Sequence, residues 1–279
     1  MKKYLIKFLK NKYKLLFKAL NYSNKSNLKI ESLNLIIKKN TYVGKKNEKL
    51  VLPLDEIITP RIFRYEKWDY FIIKFIEKNL KLEDNYFIDI GANIGLISKQ
   101  LQNRNLNIKK YFCFEPELNT FEILKKNLKN SRTIFFNFGL GVKEKKTKLY
   151  LNNSNKSDFS LFYKKNKKYT SSIISIKNSN KVLTKIIKEN KIKNIIYKSD
   201  TQGMDEIIFL NLNRYILDKI YLLVIEITNY NFILKNKNLF FNKLNLFKDI
   251  YNENGKKISI SDVKILINKK KEFNLLAKK

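Results

Sequence analysis

Histidine is absent from this chain of 279 residues, and cysteine occurs once, at Cys113. Without an imidazole there is neither a histidine base nor a histidine ligand, which excludes Ser-His-Asp hydrolysis, histidine phosphotransfer and His-ligated zinc chemistry. A single cysteine excludes an intrachain disulfide and a cysteine-built metal site. Acid–base work therefore falls to Asp, Glu, Lys or Tyr. No stretch reaches the roughly 18 apolar residues needed to span a membrane, and the N-terminus lacks the continuous apolar core of a signal peptide. Acidic residues are few: Lys+Arg 58 against Asp+Glu 25 gives a net charge of +33. Such a charge attracts nucleic acid, anionic lipid or acidic glycan. The excess is nearly all lysine in a chain also crowded with Asn and Ile, a mix expected of A/T-biased coding sequence. Arginine, the residue for bidentate phosphate recognition, is scarce.

The hydrophobic fraction of 44% is enough for one sizeable α/β domain and an extension. Residues 1–60 read as a basic accessory region and residues 61–279 as the main domain. Met1 to Leu20 is basic and amphipathic, suited either to an anionic membrane surface or to packing on its own domain. The sequence predicts a helix over Tyr65–Asn79, a strand at Tyr86–Ile90, a helix from Asn93 to Gln102, a strand at Lys110–Phe114 and a helix from Glu117 to Leu128, with Pro116 at its start. A strand at Arg132–Phe138 follows. Lys146–Leu151 and Ser171–Ile176 alternate like an inserted antiparallel pair, joined by a polar loop over Asn152–Thr170. The pattern continues with a helix at Lys181–Glu189, a strand at Asn194–Ser199, a helix at Met204–Leu210 and a strand at Ile220–Ile227. A helix at Ile233–Leu246 and strands at Lys248–Tyr251 and Val263–Ile267 close it. Strands alternating with helices imply a Rossmann-like α/β fold, its sheet mostly parallel with about seven strands and helices on both faces.

The run Phe87-Ile88-Asp89-Ile90-Gly91-Ala92-Asn93-Ile94-Gly95 is an apolar strand ending in an acid and a glycine turn. Gly91 suits a left-handed turn, and Gly95 permits close packing of the new helix on the sheet. The spacing is not the G-x-G-x-x-G of a dinucleotide site, so a pyrophosphate is the poorer fit. An acid before the turn suits a cofactor with an amino-acid end and no phosphate. Glu115 closes the next strand about 20 residues on, where a carboxylate can accept both ribose hydroxyls. In an open parallel sheet the ligand lies beyond the carboxyl ends of the strands, which draws in Asn137, Asp200 and Glu226. Asp200 either caps the following helix or does chemistry. Lys198, two residues earlier, would keep it ionised, and Glu226 would complete a polar cluster around an acceptor hydroxyl.

With Phe114-Glu115-Pro116, Asn137-Phe138-Gly139-Leu140-Gly141 and Tyr197-Lys198-Ser199-Asp200-Thr201-Gln202-Gly203-Met204-Asp205, the chain resembles the FkbM-type S-adenosylmethionine (SAM)-dependent methyltransferases over about residues 61–255. The Lys-x-Asp-x-Gln-Gly run points to that family. Two positions depart from its pattern: Asp205 stands where the family has Glu, and Ser199 where it has an apolar residue. The resemblance implies a class I methyltransferase fold and SAM as cofactor; no metal-binding residue is assigned. It implies methyl transfer to hydroxyls of polyketides, sugars and surface glycans. The cofactor would be held by Asp89, Gly91, Ala92, Asn93, Gly95, Glu115, Pro116, Asn137 and Gly139, with Glu66 added from the Tyr65-Glu66 segment. Asp200, Lys198 and Glu226 would act on the acceptor.

Two other readings compete. A nucleic-acid methyltransferase suits the charge, but the prolines are Pro53, Pro60 and Pro116, which excludes a Pro-Pro-aromatic amine motif. Cys113 is not preceded by proline, which excludes a Pro-Cys cytosine nucleophile. A ribose 2′-O enzyme stands. The other is an inactive module of the same fold that binds anionic glycan or membrane through its lysines. The expected place is the cytoplasm, with the basic N-terminus at the inner face of the membrane.

Overall fold

The computed structural model describes residues 41–43, 49–53, 57–58, 61–62, 67–152, 155–156, 158–162, 169–269 and 272–279. The basic, amphipathic stretch at the N-terminus, and Tyr65 and Glu66, lie outside the described residues.

In chain order the elements are β1 (Thr41–Val43), β2 (Lys49–Val51), α1 (Tyr70–Asn79), β3 (Asn85–Ile90), α2 (Leu96–Gln102), β4 (Ile108–Phe114), α3 (Leu118–Asn127), β5 (Thr133–Phe136), β6 (Gly139–Gly141), β7 (Lys145–Asn152) and β8 (Tyr169–Asn178). They continue with α4 (Ser179–Glu189), β9 (Asn194–Ser199), α5 (Asp205–Asn211), α6 (Arg214–Lys219), β10 (Ile220–Ile227), α7 (Tyr230–Lys235), α8 (Lys237–Leu244), β11 (Asp249–Tyr251), β12 (Lys257–Ile258), α9 (Ile260–Asn268) and β13 (Phe273–Lys278).

Eight strands form the main sheet in the order β12-β11-β13-β10-β9-β3-β4-β5. β10, β9, β3, β4 and β5 pair in parallel. β13 runs antiparallel to both β10 and β11, and β12 antiparallel to β11. The chain enters the sheet at β3, steps outward through β4 and β5, then returns to β9 on the other side of β3. That reversal is the switch point where an α/β sheet opens a crevice for ligand. A second sheet, β6-β8-β7, follows β5 directly.

Every residue of β3, β9 and β10 is buried, because helices cover both faces. Ile88 and Ile90 point into a cluster with Leu183, Ile208 and Phe240 of α4, α5 and α8. Phe87 points the other way, against Ile73, Leu101 and Leu124 of α1, α2 and α3. Each such side chain contributes about 1.5–3 kcal/mol. A smaller cluster joins Leu52, Ile58 and Ile62 to Ile94 and Leu96. Asn127 fastens this segment: its Oδ1 accepts from the Val51 N–H at 2.7 Å, and its Nδ2 donates to the Val51 and Ile94 carbonyls.

Several expectations are corrected. Val263–Ile267 is not a strand but lies inside α9, which starts at a capping box of Ser259 and Asp262; five apolar-rich residues fit either period. The last strand is Phe273–Lys278. The predicted helix Ile233–Leu246 is two helices broken at Asn236. The predicted strand Arg132–Phe138 stops at Phe136, and Gly139–Gly141 joins the second sheet. α2 starts at Leu96, not Asn93, because Asn93 and Gly95 both take positive φ. Pro116 stands outside α3, before its cap Glu117, whose carboxylate accepts from the Thr120 N–H.

Candidate active site

The glycine turn between β3 and α2 is built by backbone bonds from both neighbouring strands. The Gly91 and Ala92 N–H groups both donate to the Phe114 carbonyl, at 3.1 and 3.0 Å, and the Asp200 N–H donates to the Ile90 carbonyl at 3.0 Å. Gly91 has φ +71°, and a Cβ there would stand 1.9 Å from the Asp200 carbonyl oxygen. The glycine is thus required by the neighbouring strand end. Gly95, at φ +83°, presses against Leu124 of α3 and Leu128 at its C-terminal cap, so its close packing is helix on helix rather than helix on sheet.

Asp89 lies beneath this turn, fully buried. Its Oδ2 accepts from Ser98 Oγ at 2.7 Å and its Oδ1 is 3.0 Å from Lys198 Nζ. Lys198, 3% exposed, also donates to the Gly91 carbonyl at 2.9 Å and lies 4.0 Å from Asp200 Oδ2. Burial alone would lower the Lys198 pKa, but the Asp89 and Asp200 carboxylates outweigh it and hold it above the ordinary lysine value. The Lys198 ammonium thus lies against the Asp89 carboxylate inside the sheet. Neither opens broadly to solvent.

Glu115 follows β4 and is held by two backbone donors: Asn93 N–H to Oε2 at 3.0 Å and Glu117 N–H to Oε1 at 2.9 Å. Burial is the largest effect on it and pushes its pKa up to about 7, against the pull of those two bonds. Each oxygen retains a lone pair for a further donor. Asn137 is exposed and spends its Nδ2 on the Glu115 and Pro116 carbonyls, at 3.0 and 3.2 Å, so it braces the loop bearing Glu115. At Gly139, in β6, a Cβ would stand 2.7 Å from Ile176 of the neighbouring β8 and 3.7 Å from Pro116 of the loop that carries Glu115.

A cleft opens beyond the carboxyl ends of β3, β4 and β9. Gly91, Asn93, Glu115, Pro116 and Asp200 line it on the main-sheet side, and Gly139, Phe159, Leu161, Ile174 and Ile176 on the other. Its empty space, mouth included, is about 640 Å³. A smaller hollow of about 430 Å³ lies against Trp68, Ala92 and Lys198, and shares Gly91, Asn93 and Asp200 with the cleft. The β7–β8 connection is tied to both sides of the cleft: Asn93 Nδ2 donates to the Lys156 carbonyl at 2.8 Å, and Ser160 Oγ to the Gln202 carbonyl at 2.8 Å.

Asp200 stands where cleft and hollow meet, its side chain 33% exposed. It is not a helix cap: α5 begins at Asp205, and its N-cap is Met204. The strand pairing ends at Ser199, yet Lys198 and Asp200 still come within reach of each other. Glu226 ends β10 in a buried position. Burial first, then the charges of Asp200, Asp205 and Glu272, push its pKa well up. Gln202 joins the two carboxylates, with Nε2 at 3.2 Å from Asp200 Oδ1 and at 3.1 and 2.9 Å from the Glu226 oxygens. Its backbone is left-handed, φ +55°, a conformation that concentrates at functional sites.

Sequence reasoning placed Gln202 in the right turn but assigned it no role. It also missed Ser98, which fixes Asp89, and Glu206, whose carboxylate accepts from the Thr228 and Asn229 N–H groups at 2.6 and 2.7 Å. An acid in the first turn of a helix is a signal for the latter. Nothing local marks Ser98. Among the described residues there is no group of three or more His, Cys, Asp or Glu side chains that could hold a metal ion, and no helix long and apolar enough to cross a membrane.

The donor set fits SAM: a glycine turn with backbone groups at the switch point, a positioned carboxylate after the second strand, and apolar walls from Phe114, Pro116, Leu140 and Ile176 for a flat base. No protein-family model matches the sequence, and no curated protein matches it. Among solved structures, the chain is similar to an FkbM methyltransferase from Methylobacillus flagellatus KT, with 14% identity and a TM-score of 0.43 over 77% of this chain and 49% of that one. It spans about half the length of that protein. A precorrin 8w decarboxylase from Methanobacterium thermoautotrophicum shares 8% identity, with a TM-score of 0.37 over 75% of this chain and 88% of that one. A candidate RNA methyltransferase from Pyrococcus horikoshii shares 12%, with a TM-score of 0.35 over 75% and 80%. The sheet is mainly parallel and eight-stranded, with the glycine turn and Glu115 at its switch point, the arrangement of a Rossmann-like α/β fold.

Proposed function

We propose that this chain is a SAM-dependent O-methyltransferase that moves a methyl group to a hydroxyl of a sugar or glycan. The observation that carries this reading is Asp200: a part-exposed carboxylate at the lip shared by cleft and hollow, 4.0 Å from a buried lysine and bridged by Gln202 to Glu226.

Glu115 would accept the ribose hydroxyls, its two oxygens fixed in advance by the Asn93 and Glu117 N–H groups. The backbone of Gly91, Ala92 and Asn93 would face the amino-acid end, with Asp89 and Lys198 holding the turn from beneath. When bound, SAM supplies a sulfonium-activated methyl group. The protein then has to orient the acceptor and take its proton. Asp200 accepts the hydroxyl proton, with Lys198 Nζ 4.0 Å from its carboxylate. Gln202 and Glu226 fix the Asp200 side chain. Orientation is worth about 7–11 kcal/mol of the barrier, and a general base about 10²–10⁴-fold, so positioning dominates and a weak carboxylate base is sufficient. The basic N-terminus would serve contact with an anionic membrane surface.

The test is methyl transfer from labelled SAM to a panel of glycans, with Asp200→Asn beside the unaltered chain. Turnover reduced about 10²–10⁴-fold with retained SAM affinity supports the assignment. Equal turnover removes Asp200 from the mechanism.

A further inference from the structure

We propose that a groove between α1 and the β11–β12 turn binds an oligosaccharide, the non-reacting part of the acceptor; the word acceptor rests on the methyltransferase reading above. The groove has about 1,020 Å³ of empty space, mouth included, more than the cleft or the hollow. Tyr70, Phe71, Lys74 and Lys78 of α1 form one wall, since these positions recur on one helical face. Asn252, Glu253 and Asn254 form the other, over a floor of Phe75, Tyr251 and Leu276.

This is the chemistry a sugar chain requires. A pyranose has apolar C–H faces and a fringe of hydroxyls that both donate and accept. Tyr70, Phe71 and Tyr251 are half-buried along the groove, and the Lys67, Lys74 and Arg104 cations stand 4.4, 5.4 and 5.1 Å from the Tyr70 ring centroid. Asn254, Lys74 and Lys78 are exposed on its rim. Glu253 is held by the Asn274 backbone and side-chain N–H groups, at 2.8 and 2.9 Å, and so is pre-set as an acceptor. A polyphosphate fits less well, because neutralising a phosphate chain takes an unbroken series of cations. Here the lysines share the groove with Glu253.

The groove leads toward the reacting end. Trp68 lines the hollow that also contains Asp200, and Tyr70, two residues on, opens the groove. Asp69 between them feels the charges of both Asp200 and Glu253. A chain lying along α1 would therefore pass Trp68 and present its end to Asp200.

The experiment uses the full chain on an array of neutral and acidic oligosaccharides with a decathymidine alongside. It compares the unaltered protein with the double variant Lys74→Ala/Asn254→Ala, whose substituted side chains are exposed and leave the core untouched. S-adenosylhomocysteine affinity is measured in parallel. The expected result is retention of at least one oligosaccharide, weakened at least tenfold in the double variant with S-adenosylhomocysteine affinity unchanged. Retention of no oligosaccharide, equal retention by the double variant, or retention of the decathymidine instead would overturn the proposal. Loss of S-adenosylhomocysteine binding by the unaltered chain, with oligosaccharide binding intact, would count against the methyltransferase reading and leave the groove assigned.

Discussion

Ser199 Oγ donates a hydrogen bond to Asp205 Oδ1. These are the two positions at which the chain departs from the FkbM pattern, and they are partners. Shortening Glu to Asp draws the carboxylate back toward its own helix, and a hydroxyl replaces an apolar side chain at the point it faces. Asp205 also accepts from the Thr201 N–H, 3.0 Å from each oxygen, so the pair anchors the turn that carries Asp200 and Gln202. Ser199→Val should cost about 1–3 kcal/mol, the cost of leaving a buried acceptor short of a donor. Adding Asp205→Glu should recover part of that loss. Urea unfolding of the two single variants and the double gives the coupling, expected at about 0.5–3 kcal/mol. Strict additivity would mean that the two departures are unrelated.

Gly91 and Gly95 have similar backbone angles but different surroundings. A Cβ on Gly91 meets the Asp200 carbonyl at 1.9 Å, while one on Gly95 meets leucine methyl groups at 2.8 and 3.0 Å. Side chains can shift; a carbonyl tied into the end of a sheet cannot without moving its strand. Gly91→Ala should therefore destabilise by at least about 4 kcal/mol, in the exceptional class of single substitutions. Gly95→Ala should cost roughly 1–3 kcal/mol, as backbone strain and overpacking do. Equilibrium unfolding that ranks them the other way would contradict this account of the turn.

Burial raises the Glu115 pKa from 4.5 to about 7. The folded chain therefore binds this proton more tightly than the unfolded chain. The resulting stabilisation is complete below about pH 4.5 and is lost as the pH rises through about 7. It is on the order of 3 kcal/mol, at 1.36 kcal/mol per pKa unit. Glu115→Gln should flatten stability over that interval, a difference readable from unfolding midpoints at pH 5 and pH 8. Ribose hydroxyls favour the ionised carboxylate, so affinity for S-adenosylhomocysteine should rise from pH 6 to pH 8. Parallel pH curves for the two proteins would exclude Glu115 as their source.

The sequence made the centre of the sheet legible for a specific reason. β3, β4, β9 and β10 are covered on both faces, so they read as short apolar runs closed by a polar residue. The glycine turn and Glu115 follow from the same pattern. What stayed hidden depends on contacts distant in sequence. The need for glycine at position 91 comes from the carbonyl of residue 200. The sequence pairs Lys198 with Asp200 alone, but its register with β3 also places it beside Asp89. Val263–Ile267 failed because a five-residue apolar run carries no period of its own, and the capping box that decides for helix lies just ahead of it. The acid and lysine of the sheet centre were thus found by type and assigned by geometry.

Binding of SAM and S-adenosylhomocysteine, measured by calorimetric titration of the full chain with Glu115→Ala as control, tests the central claim most directly. The account predicts micromolar affinity in the unaltered protein and its loss in the variant, with both proteins folded. Absence of binding to the well-folded unaltered chain, or equal binding by both, would contradict it.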